Sequence, residues 1–170
     1  ECDDDAMRAD LLASRMLVAD HEGRSDDAAR MADEAVALAL RADDDSAAAA
    51  LALAHGERAW LATQRHDWPS ADREIALGLD AARRSARIHR RQLGYPAYQH
   101  QLRAIQLHAL GQQARHADVL RSIDEALAEP DLGLRDRYNL LGPRAISQRE
   151  LGQFEAAEAT ALEVLALTGQ

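Results

Sequence analysis

The chain contains no lysine, one cysteine, nine Val plus Ile, three Thr and six aromatic residues among 170. Without lysine, Schiff-base chemistry and the lysine of a phosphate-binding loop are excluded. Cys2 alone can form neither an intrachain disulfide nor a thiolate metal cluster, which fits a reducing compartment. Pleated, half-buried faces require β-branched and aromatic side chains, so a sheet protein is excluded. The longest apolar run, Ala47 to Ala54, has eight residues, against the roughly 20 that a spanning helix needs. No basic and apolar leader opens the chain, whose first residues, Glu1 to Asp5, are acidic. A cytoplasmic protein with no membrane association is therefore expected, and a start at Glu1 without Met points to a piece of a longer chain.

Signals of chemistry are equally sparse. The seven His never stand three or four residues apart, so no helix offers a two-histidine metal face. Asp43-Asp44-Asp45 resembles the opening of a calcium loop, yet Ala48 and Ala54 occupy the positions that need Gly and Glu. This acidic run reads as a solvated turn ending in the N-cap Ser46. The glycines are isolated and build no phosphate cradle. No enzyme activity, metal or cofactor is expected.

The chain is rich in two residues, with 37 Ala and 24 Leu. Helix-period patterning runs nearly from end to end, interrupted by turn signals at 43–46, Leu93-Gly94-Tyr95-Pro96 and Glu129-Pro130-Asp131-Leu132-Gly133. The pattern predicts an all-α chain, one domain over 1–170, with helices at 5–21, 25–42, 46–65, 69–93, 97–113, 116–128, 134–150 and 154–168. Paired, these make four hairpins at 5–42, 46–93, 97–128 and 134–168. Ala48, in a first turn, is expected near the surface.

A frame recurs four times. Gly152 ends one helix, and equivalent anchors fall at Gly23, His66 and Ala114, spaced by 43, 48 and 38 residues. Two residues after each anchor stand Ser25, Trp68, His116 and Phe154. Five after stand Ala28, Ala71, Val119 and Ala157, and twelve after stand Ala35, Gly78, Ala126 and Val164. Small residues at the fifth and twelfth offsets let two helices of a hairpin approach closely. Trp60 and Trp68 are expected in the core.

This turn and second helix, clearest in Leu151-Gly152-Gln153-Phe154-Glu155-Ala156-Ala157-Glu158, resemble a tetratricopeptide repeat. Elongated Ala- and Leu-rich repeats of this kind are similar to helical domains of bacterial LuxR-type transcriptional activators and signal-transduction ATPases. The resemblance implies an α-α superhelix whose concave face, lined by the first helices, holds extended segments. It also implies that the last helix, with Ala161, Leu162, Val164, Leu165 and Leu167, lacks a polar outer cap. Self-association as a homo-oligomer, or stabilisation by a following repeat, is expected.

Charge is unevenly distributed. Residues 1–80 carry a net −11 and residues 118–170 a net −5, while 81–117 hold seven Arg, four His and no acid. Within this block Arg83, Arg87, Arg90 and Arg91 share one helix face, and Tyr98, His100 and Arg103 follow on the next helix. A second set lies eight residues before each anchor: Arg15, Arg58, Gln106 and Arg144. Stacked repeats would align these as a column, either snorkelling beside the core and pairing with local acids such as Glu57 or presenting forks to a carboxylate or phosphate. The expected function is a non-catalytic protein-interaction module that binds an acidic protein or peptide segment. The alternative is an effector-sensing domain of a bacterial transcriptional regulator, binding a small anionic effector. The overall net charge of −9 argues against nucleic acid as the partner.

Overall fold

The computed structural model describes residues 4–42, 47–89, 97–129 and 132–168, with backbone alone at 86–89, 97 and 168. The protein is all-α. Its described residues form eight helices: α1 (Asp5–His21), α2 (Ser25–Ala42), α3 (Ala48–Gln64), α4 (Trp68–His89), α5 (Ala97–Gln112), α6 (His116–Leu127), α7 (Leu134–Glu150) and α8 (Phe154–Thr168). The Asp4 carboxylate starts α1 by accepting from the amides of Ala6 and Met7 at 3.1 and 3.2 Å.

The four anchors adopt one geometry. Gly23, His66, Ala114 and Gly152 all have left-handed φ, at 75°, 57°, 55° and 73°. At every anchor the amide donates to the carbonyl three residues back, and the next amide donates to the carbonyl five residues before itself. These pairs are Gly23 to Asp20 with Arg24 to Ala19, His66 to Thr63 with Asp67 to Ala62, Ala114 to Gly111 with Arg115 to Leu110, and Gly152 to Arg149 with Gln153 to Gln148. All eight distances lie between 2.8 and 3.0 Å. This double bond is the Schellman arrangement, which satisfies the last carbonyls of a helix by turning the chain left-handed for one residue. Each second helix then begins two residues after its anchor. Two of the anchors are not glycine, so His66 and Ala114 carry the strain of a left-handed side-chain residue.

Contacts gather in two compact units, Glu1–Gln106 and Leu107–Gln170, with the division inside α5. In the first unit α1 packs on α2, α2 on α3, α3 on α4, and α1 on α3. Its core is mostly alanine, including Ala9, Ala13, Ala28, Ala32, Ala35, Ala50 and Ala54, with Met16, Leu38 and Leu102 filling between. Short side chains let helix axes approach, and burial of many small groups replaces burial of a few large ones. Ala48 does not lie near the surface: it is fully buried with Ala47 and Ala50 in the entry to α3. In the second unit α6 packs on α7 and α7 on α8. Leu107, Leu110, Val119, Ile123, Ala126 and Leu140 form its core.

The small residues of the frame are buried in the first three repeats, where Ala28, Ala71, Ala35 and Ala126 are fully buried, while Ala157 in the last is half-buried. A Cβ on Gly78 would stand 2.6 Å from Leu102 Cδ2 and 3.2 Å from His55 Cβ, so α4 is approached closely only because that carbon is missing. No helix among the described residues is long and apolar enough to cross a membrane.

Candidate functional site

The basic block is partly described. Arg83 projects into solvent with a 3.4 Å ion pair to Asp80, and Arg84 lies 3.5 Å from the same carboxylate. Asp80 immediately precedes the block, so one acid serves both cations. Exposed pairs of this kind hold their partners weakly. Arg87 falls where the backbone alone is described, and Arg90 and Arg91 lie outside the described residues. On α5, Tyr98, His100 and Arg103 are half-buried. Tyr98 packs against the alanine-rich core of the first unit.

The Arg column separates into three situations. Arg58 reaches from α3 to Asp33 on α2, at 3.5 Å, and to Glu74 on α4, at 3.4 Å. Arg144 reaches from α7 to Asp124 on α6, at 3.0 Å. Arg15, on α1, is exposed. Asp33 and Asp124 both stand ten residues after their anchors, so the two ion pairs are the same pair in two repeats. The intervening repeat carries Ala76 at that offset, and the column position that follows it is Gln106. Arg58 and Arg144 therefore tie a first helix to the second helix before it. The column is legible in the sequence, but its shared acids are Asp33 and Asp124 rather than the adjacent Glu57, and their common offset of ten residues from the anchor marks them.

A buried polar knot surrounds Arg58. His55 and Glu74 are 7% and 3% exposed, and His55 Nδ1 lies 2.8 Å from Glu74 Oε2. The other oxygen, Oε1, accepts from Arg73 at 3.1 and 3.3 Å and faces Arg58. Burial pushes the Glu74 carboxyl up, but His55, Arg58 and Arg73 outweigh it and hold Glu74 below its ordinary range. Burial also dominates at His55, lowering its pKa against the pull of Glu74. The imidazole is thus neutral, with Nδ1–H donating to a carboxylate already balanced by two guanidinium groups. Both Glu74 oxygens are engaged, so the knot joins α2, α3 and α4 rather than presenting a base to a substrate. Its sequence signal was a carboxylate inside the apolar stripe Ala71, Ile75 and Gly78.

Glu57 is the contrasting case. It is 6% exposed on α3, and its Oε1 has no hydrogen-bond partner. Burial, with Asp20 of α1 adding like charge, raises its pKa to about 7. Among the described residues no three His, Cys, Asp or Glu groups converge to hold a metal ion. No family model matches the chain, and neither a curated protein nor a solved structure is significantly similar to it.

Proposed function

We propose that this chain is a non-catalytic, tetratricopeptide-like interaction module of the cytoplasm that binds an acidic segment of a partner protein. The single observation that carries the reading is the block at 81–117, with seven Arg, four His and no acid in an otherwise acidic chain. Like charges packed together repel, and an oppositely charged partner relieves that cost. The exposed Arg83 at the start of the block and the half-buried His100 and Arg103 on α5 support a surface that begins on α4 and continues on α5. Guanidinium forks grip carboxylates in two-point fashion, which suits Asp- and Glu-rich segments. The repeat resemblance is supported by the four identical left-handed turns.

The test is fluorescence anisotropy with a labelled oligoglutamate peptide, titrated at rising salt, against the wild type and a variant with Arg87→Glu, Arg91→Glu and Arg103→Glu. Binding is expected to weaken as salt screens the pairs and to be lost in the folded variant. Unchanged affinity in that variant, or tighter binding of a single-stranded oligonucleotide of equal charge, contradicts the reading.

A further inference from the structure

The first unit holds two carboxylates that no described cation of the chain serves. Glu57 of α3 is 6% exposed, and its Oε1 is enclosed without a hydrogen-bond partner. Asp20, in the last turn of α1, is half-buried and acts on Glu57 as a like charge. Among the described residues neither side chain receives an ion pair or a hydrogen bond. The charged groups on the other helices packed against α3 are engaged elsewhere. Arg58, next to Glu57 in sequence, turns to Asp33 of α2 and Glu74 of α4. His55 and Arg73 also bind Glu74, and Arg84 of α4 lies beside Asp80. The α5 helix meets α3 at Gly56 through Leu102 and Ile105, which carry no charge.

Nine residues before its anchor, Glu57 occupies the position that Ile105 fills, buried, in the next repeat. A buried carboxylate without a counter-charge costs stability that an apolar side chain there would not, unless a ligand supplies the charge. The neighbouring wall is aromatic. Trp60, three residues further along α3, lies on the same helix face and is half-buried. Six residues before the four anchors stand Leu17, Trp60, His108 and Ile146, none of them buried, so this position opens outward in each repeat.

We propose that Asp20, Glu57 and Trp60 form a binding site for a guanidinium group, whose N–H groups donate to the two carboxylates while the indole covers its face. A guanidinium is planar, forked and weakly hydrated, so it suits paired carboxylates and stacks on an indole. An ammonium is more strongly hydrated and loses more on entering so enclosed a place. Among the described residues no third His, Cys, Asp or Glu joins these two, which leaves a metal ion short of ligands. The site takes charge of the opposite sign from that bound by the basic block. A bound cation holds Glu57 ionised, so affinity rises as the pH is raised through about 7.

Heteronuclear NMR above neutral pH tests this by following the indole N–H of Trp60 during titration with n-butylguanidine, n-butylamine and the peptide acetyl-Gly-Arg-Gly-amide. Butylguanidine is expected to shift the signal at millimolar concentration, and butylamine to bind more weakly. Tighter binding of the peptide than of butylguanidine assigns the group to an arginine of a partner protein, and weaker binding assigns it to a free guanidino compound. Glu57→Gln, which is expected to fold more stably than the wild type, and Asp20→Asn should each weaken butylguanidine binding about tenfold. Glu34→Gln removes an equal charge from an exposed position on α2 and should leave binding unchanged. An unmoved Trp60 signal, equal binding of butylamine, unchanged affinity in Glu57→Gln, or an equal loss in Glu34→Gln would overturn the proposal.

Discussion

Replacing Glu74 by Ala is expected to cost about 3 kcal/mol at neutral pH, from a lost buried ion pair and an unpaired imidazole N–H. Glu74 is nearly inaccessible, and both of its oxygens bind side chains drawn from α3 and α4. Removal leaves His55 Nδ1–H facing a cavity, while Arg58 keeps Asp33. Arg73 is largely solvated, so Arg73→Ala should cost far less, on the order of 0.5 kcal/mol. The pH dependence has a definite sign. The folded pKa of Glu74 lies below its ordinary 4.5, so its contribution is present above that value and is lost as the pH falls through the folded pKa. The gap between wild type and Glu74→Ala in urea melts should therefore shrink in acid.

Glu57→Gln should do the opposite and stabilise the protein. The Glu57 carboxyl is buried without a partner for Oε1, near Asp20, and its pKa is raised from 4.5 to about 7. The folded state prefers it protonated, so its contribution is complete below pH 4.5 and lost as the pH rises through about 7. Glutamine keeps the shape and hydrogen-bonding capacity of the protonated form. The gain should be absent below pH 4.5 and reach about 3 kcal/mol above neutrality. Urea melts of both proteins across this range check it, and a gain equal at all pH values would show that ionisation of Glu57 is not the cause.

These two carboxylates also mark where sequence reading stopped. The limits of α1, α2, α7 and α8 follow from the residues alone, because caps and left-handed turns act locally and their signals lie within a few positions of the boundary. His66 and Ala114 carry no glycine signal, yet the repeat frame locates them, since neighbouring small residues must sit at fixed distances from the turn. α4 starts at Trp68, one residue earlier than the Pro69 start that proline's N-terminal preference suggests. A helix pattern says which face is buried, not what meets it, so it does not reveal the engagement of Glu74, and it places Glu57 beside Arg58 although Arg58 turns to Asp33 and Glu74 instead. The partner of Glu74 is 19 residues away in sequence and arrives only when the hairpin closes. Ala48 is buried for a related reason, since the entry to α3 is covered by packing rather than left in solvent. Arg58 and Arg144 read as a column in the sequence, and their partners, which belong to the preceding repeat, become visible when Asp33 and Asp124 are placed in the same frame.

Four anchors of three residue types, two Gly, one His and one Ala, make one turn, and this predicts substitutions of opposite sign at equivalent positions. Ala114 holds a left-handed φ of 55° at a cost that glycine does not bear, while Gly152 holds 73° with no Cβ to strain it. Urea denaturation of Ala114→Gly and Gly152→Ala measures this directly. Ala114→Gly is expected to raise stability by roughly 0.5–1 kcal/mol, and Gly152→Ala to lower it by about 1 kcal/mol. Destabilisation by Ala114→Gly, or a neutral Gly152→Ala, would contradict a shared left-handed turn.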